Sequence, residues 1–282
     1  MTETKTRDRR EKLIFSSITV IVCVILLFPL YWMAVTSLKY EADIFKSPPS
    51  LFPTRIFLES YVDQLRSGDK NMFVSFYNSL VISLGVLVLS TCLAIPAAYG
   101  LARFRFRGKK LFILSFLITQ MLPAVFILTP LFIIFNGFKL QNTYLAPIIA
   151  DSTIAIPFAV LILRTYFLSI PKELDDSAKI DGCNHLTAFL RIMVPVAYPG
   201  VIVAAVFSFM FAWGDLVYGL TFINKQAMRP VTAGIFNHMG QYGTSWNRLM
   251  AFGVVSIMPI VLIFIFMQKY IISGLTSGAV KG

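Results

Sequence analysis

Between two membrane-length apolar runs lies one long polar stretch, Ser169 to Pro195, which brings together acids, amines, a thiol and an imidazole. Glu173 and Asp175 fall near the start of a helix whose first turn Pro171 suits. There the positive end of the helix dipole favours carboxylates, and Leu174 and Ala178 stack at i, i+4. Gly182 supplies the stop. Asn184 then caps a second helix whose Leu186, Phe189, Leu190 and Met193 form an apolar stripe, and Pro195 discourages continuation. The stretch is a folded element, two short helices joined at a glycine, rather than a slack loop.

Other chemistry is excluded by what the residues lack. No Gly-x-x-x-x-Gly-Lys-Ser/Thr loop occurs, and Gly108-Lys-Lys has neither the earlier glycine nor the hydroxyl needed to cradle nucleotide phosphates and magnesium. Cys23, Cys92 and Cys183 give no disulfide framework, and with the isolated His185 and His238 they give no metal-ligand spacing. The sequence therefore assigns this chain no catalytic residue, cofactor or metal. Asp215 follows Trp213-Gly214 in an apolar run, where a carboxylate costs about 2.5–3.5 kcal/mol near a bilayer centre, so it must face the bundle or a wet cavity.

Membrane helices have to position these residues. The chain has 282 residues, 57% of them hydrophobic, and its charges are clustered. Charge-free runs between Lys12 and Lys39, Lys70 and Arg103, Lys110 and Lys139, Arg191 and Asp215, and Arg248 and Lys269 can each cross a hydrocarbon core of about 30 Å. A sixth apolar run contains Asp151 and Arg164. The pattern predicts an all-α polytopic membrane protein with six transmembrane helices, near 13–35, 74–102, 111–135, 143–168, 200–222 and 249–272. Pro96, Pro123, Pro130, Pro147, Pro157 and Pro259 fall inside these spans and predict bent helices. Residues 39–70 have room for a short external helix, with an irregular turn at Ser47 to Pro53.

The net charge of +11 matters through its placement. Putting both termini inside places Arg7, Arg9 and Arg10, the Arg103 to Lys110 cluster, Lys172, Lys179 and Arg191 on the cytoplasmic face, as the positive-inside rule requires. The polar stretch is then cytoplasmic, between the fourth and fifth helices. Residues 1–12 form a cytoplasmic tail, 13–272 a transmembrane domain including the 169–199 loop, and 273–282 a second cytoplasmic tail. The Arg103 to Lys110 cluster is a topology and lipid-headgroup anchor rather than a nucleic-acid patch.

Asp176-Ser-Ala178, Gly182 and Pro195 resemble the EAA loop of inner-membrane permease subunits of ABC importers, with Asp and Ser where Glu and Ala are usual. Asn78-Ser-Leu, Ala97-Ala-Tyr-Gly-Leu-Ala-Arg-Phe-Arg-Phe106, Met121-Leu-Pro, Asn142-Thr, Ile156-Pro-Phe and the tail from Gln268 to Gly282 are similar to the carbohydrate-importer branch, the maltose-type permeases. The resemblance implies a second homologous permease subunit, two ATPase subunits carrying ATP and Mg, an extracytoplasmic solute-binding protein and a sugar-class substrate, in a bacterial inner membrane. It also implies that Glu173, Asp176, Ser177, Ala178 and Gly182 couple to an ATPase subunit. In the tail, Gly274, Thr276, Gly278 and Lys281 would make a further ATPase contact.

Trp213, Asp215, Tyr218 and Asn224 are the candidates for lining a sugar path; the competing reading of Asp215 is a structural polar pair, for instance with a basic residue of the partner permease. His238, Gln241, Tyr242 and Trp246, in a connection longer than a plain helix link, are candidates for contact with the binding protein. Two other functions remain open on the residues alone: a non-transporting membrane scaffold or regulator of an ATPase, and an ion-coupled secondary transporter. The sparse Asp151, Arg164 and Asp215 argue against the latter.

Overall fold

Long apolar runs can satisfy their backbone polar groups in a bilayer only as helices, and the chain is helical almost throughout. The computed structural model describes residues 2–66, 72–240 and 243–276. Two units separate, Met1–Ser67 with Ile235–Ile257, and Gly68–Gly234 with Met258–Gly282.

In the first unit, α1 (Thr2–Ser37) begins well before the expected start near residue 13 and exposes nearly all its apolar side chains from Leu13 to Leu30. Two short helices follow, α2 (Glu41–Ile44) and α3 (Glu59–Arg66), with irregular chain between them as expected for the proline-rich turn. Lys39 is buried over the Trp32 ring, 4.6 Å from its centroid, and its ammonium donates to the Ser50 carbonyl.

The second unit is built on α4 (Met72–Arg103). Its buried face carries two runs of small residues four apart, Ser75, Ser79 and Ser83, then Ser90, Ala94, Ala98 and Ala102, so neighbouring backbones can approach closely. Against it lie α7 (Leu145–Ser169) and α11 (Tyr198–Gly214). Ala98, Ala159, Val160, Leu163, Phe167, Met193 and Ala204 form the centre of this packing, all buried. At Gly200 the approach is closest: a Cβ there would sit 2.4 Å from the Tyr166 ring.

The expected single helix over 111–135 is two, α5 (Lys109–Met121) and α6 (Ala124–Gly137), set at 100°. The break falls at Leu122-Pro123, where proline has no N–H to continue the ladder and forces the preceding residue into extended backbone, ψ 126°. The expected helix over 200–222 is likewise interrupted, after Gly214, with α12 (Val217–Phe222) resuming beyond Asp215 and Leu216.

The polar stretch forms α8 (Glu173–Ile180) and α9 (His185–Ala188), then one π turn at Phe189–Met193 and α10 (Val194–Val196), which meets α11 at a 75° bend. The π turn alters the expected apolar stripe: Phe189 and Met193 pack on the core, while Leu186 and Leu190 remain exposed. After α13 (Val231–Gly234) and a two-residue antiparallel ladder, Met239–Gly240 with Gly243–Thr244, α14 (Trp246–Thr276) closes the chain. Among the described residues four helices are long and apolar enough to cross a membrane, or up to six when each bent pair counts as one span.

Candidate functional site

The 169–197 element has two faces. Outward, Glu173, Asp176 and Ser177 are exposed, and Asp176 pairs only loosely with Lys179 at 3.1 Å. Such an exposed i, i+3 pair adds at most a few tenths of a kcal/mol, roughly, so both charges are free to find other partners. Ile180, at the end of this helix, is 87% exposed. With Leu174, Leu186 and Leu190 it gives the element an apolar surface that a charged loop in water would not carry.

Inward, Ala178 is buried and Asp175 is held by α4. The Arg103 guanidinium, itself nearly buried, lies 2.9 Å through Nε from Asp175 Oδ2. The Nε–H is not aligned for a hydrogen bond to that oxygen, so the contact is an ion pair. Its terminal nitrogen donates to the carbonyls of Ile170 at 2.9 Å and Pro171 at 3.4 Å. Tyr99 donates to Asp175 Oδ1 at 3.3 Å while its ring packs on Phe167 and Phe189.

Helix α8 ends in a hydrogen-bonded glycine cap. Gly182 has φ +81°, its N–H reaches Lys179 O at 3.0 Å, and Cys183 N–H reaches Ala178 O at 2.9 Å. This is the paired 5→2 and 6→1 arrangement that needs a left-handed residue, which glycine adopts without steric cost. Asn184 starts α9 as expected, its Oδ1 accepting from Thr187 N–H at 2.8 Å.

The other residues singled out in the sequence lie apart from this element. Trp213 is 2% exposed, stacked on Phe209 and edge-on to Phe76. Tyr218 is fully buried against Phe222. Asp215 Oδ2 accepts from the backbone N–H of Tyr218 at 2.9 Å and Gly219 at 3.1 Å, capping α12 across the break. Asn224 alone of this group is exposed. A cavity of about 330 Å³ opens elsewhere, beside Gln120, Phe158, Phe207, Ser208 and Phe211.

Two asparagines fix the segment that follows. Asn142, with φ +58°, accepts through Oδ1 from the N–H groups of Asn224 and Lys225. Asn78 donates to Ala227 O and Arg229 O, both at 3.0 Å, and accepts from Tyr144 at 2.7 Å. Trp246 opens α14, its N–H donating to Glu41 Oε1 at 3.0 Å, and the backbone of His238 closes a single 3₁₀ turn. Gln241, Tyr242, Gly278 and Lys281 lie outside the described residues; Gly274 and Thr276 are in the last turns of α14.

Residues 90–277, which include the polar element and its cap, match the model of the family described as binding-protein-dependent transport system inner membrane component. The chain belongs to this family. It is a multi-pass inner-membrane permease subunit of an ABC importer, and ATP hydrolysis belongs to a partner ATPase rather than to this chain. It is 32% identical to the permease of a diacetylchitobiose uptake system from Streptomyces coelicolor, over 95% of this chain and 97% of that one. To the permease of a trehalose transport system from Mycobacterium tuberculosis it is 34% identical, over 91% and 93%. A bacterial ABC transporter involved in import of the acidic polysaccharide alginate shares the fold, with a TM-score of 0.78 at 20% identity over 93% of this chain and 97% of that one.

The sequence pattern marks the polar element and its glycine but gives Arg103 no role beyond anchoring, and Ile180 none. The signal for Ile180 was an aliphatic residue set between Lys179 and Asp181, where a solvated helix end would be polar.

Proposed function

We propose that this permease subunit forms half of the translocation pathway of an ATP-driven importer for a sugar or sugar derivative. A second permease subunit, two ATPase subunits and a solute-binding protein complete the assembly. Both termini and α8 lie in the cytoplasm, the orientation the basic clusters favour. The observation that carries the coupling role is the two-faced α8: its inner face is tied to α4 by a buried ion pair, and its outer face presents Glu173, Asp176, Ser177 and Ile180 without strong partners among the described residues. An ATPase subunit docks there, and Gly182 lets the chain turn sharply away. Gly274, Thr276, Gly278 and Lys281 add a second ATPase contact. The ATP and Mg belong to the ATPase.

Trp213, Asp215 and Tyr218 support the pathway wall through packing and capping, and Asn224 is the member of that set available to a solute. Opposite the ATPase, His238, Gln241, Tyr242 and Trp246 meet the binding protein. The sugar class rests on relatives that serve diacetylchitobiose and trehalose systems.

ATPase activity of the purified complex in nanodiscs, with its binding protein and a panel of oligosaccharides, tests the reading. Stimulation by one sugar class is the expected result. A fully assembled complex whose hydrolysis is identical with every sugar, and which accumulates none of them in proteoliposomes, would refute the transport function and leave an ATPase scaffold.

A further inference from the structure

We propose that Arg103 is a positioning residue, a clasp that locks α8 to the end of α4 so that the two move as one body through the transport cycle. The inference rests on the coupling role proposed for α8.

Arg103 is the last residue of α4, where its chain leaves the helix. One guanidinium there meets three successive parts of the polar element: the carbonyl that ends α7 at Ile170, the connecting carbonyl of Pro171, and the carboxylate of Asp175 in the first turn of α8. A planar fork with several fixed donors can hold such a set together; an ammonium on a flexible stem cannot reach all of them at once. The side chains of Arg103 and Asp175 are only 7% and 15% exposed. Burial shields the pair from screening, and losing one member strands the other charge in a poorly solvated site. Tyr99, on the α4 turn before Arg103, closes the far side of the same carboxylate. A push on Glu173, Asp176 and Ser177 from outside is therefore transmitted to α4 and α7 instead of being absorbed by a rotating connector.

The test needs no solute. Spin labels at Leu93, exposed on α4, and Asp181, exposed at the end of α8, are introduced by cysteine substitution in the complete complex with Cys23, Cys92 and Cys183 changed to Ser. Their distance distribution is read by pulsed electron resonance without nucleotide and after trapping with ATP, Mg and vanadate. The clasp predicts one narrow distribution in both states, widened at least twofold by Asp175→Asn or Arg103→Gln. The Arg103→Gln/Asp175→Asn pair should be no wider than the worse single change, since one opening undoes the clasp. Arg103→Lys keeps the charge and should widen it partially, which keeps the test available if Arg103→Gln does not assemble. A wild-type distance that shifts on trapping, or Asp175→Asn indistinguishable from wild type, would overturn the clasp. Cross-linking of Ser177→Cys to the ATPase subunit is scored alongside: its absence with a narrow distribution would sink the docking role of α8 while leaving the clasp standing.

Discussion

Replacing Gly182 separates a backbone requirement from a steric one, because the two rank alanine and asparagine oppositely. At φ +81° an L-residue suffers the left-handed penalty of roughly 1–2 kcal/mol, while among the described residues a Cβ would meet no atom within 4 Å beyond its chain neighbours. Alanine should therefore cost the cap about 1 kcal/mol. Asparagine, which tolerates this region, should cost less despite its larger side chain, and β-branched valine should cost most. The amides of Gly182 and Cys183 report the cap directly through their bonds to Lys179 O and Ala178 O. A penalty of 1–2 kcal/mol is a factor of about 5–30 in local opening, so hydrogen exchange at Cys183 should quicken by that factor in Gly182→Val, by less in Gly182→Ala and least in Gly182→Asn. Measured in the assembled complex, the reverse order, with asparagine worse than alanine, would mean that bulk against the docked ATPase sets the requirement. Wild-type exchange in the valine variant would refute the left-handed cap altogether.

Asn78→Ala removes two donors and an acceptor at once, and the carbonyls of Ala227 and Arg229 lose their side-chain partner. Unfolding in mixed SDS and mild detergent should show a loss of about 1–3 kcal/mol. Gly200→Ala puts a Cβ into the Tyr166 ring and should cost about 1–3 kcal/mol by the same assay, with Tyr166→Leu recovering part of it by freeing the space. Asp215→Ala should lose about 0.5–2 kcal/mol as a helix cap while Asp215→Asn, which keeps an acceptor for the Tyr218 and Gly219 amides, stays near wild type. If both Asp215 variants instead abolished sugar-stimulated ATPase at unchanged stability, the carboxylate would be a solute contact.

The fold was legible where a local pattern dictates it. Charge-free length announced the spans, and Asn184 and Gly182 announced a helix start and a helix stop, each found in its expected role. The two broken spans were only half legible. Pro123 was visible as a disruption, but proline alone does not say whether a helix kinks or turns through 100°; the tertiary setting of α5 and α6 decides that. Nothing local marked the break at Asp215, which looked like an expensive charge in a continuous helix and instead serves the amides that the break leaves without partners. The π turn at Phe189–Met193 has no sequence signature at all, and the expected stripe divides there: Phe189 and Met193 pack on the core while Leu186 and Leu190 stay exposed.

The least legible feature is the ion pair that joins α4 to α8. Arg103 and Asp175 are far apart in sequence, and each had a sufficient local explanation, a basic cluster for one and a helix dipole for the other. Their pairing follows from the small-residue face of α4, which brings α7 close enough for the end of α4 to meet the chain leaving α7. A similar economy holds around the second break. Asp215 caps α12, the carbonyl of Phe222 at the end of α12 accepts from Asn142 N–H at 2.9 Å, and Asn142 in turn holds the amides of Asn224 and Lys225. In both places a polar side chain reaches backbone groups where a helix stops, so that the chain leaving the helix finds hydrogen-bond partners that the helix no longer supplies.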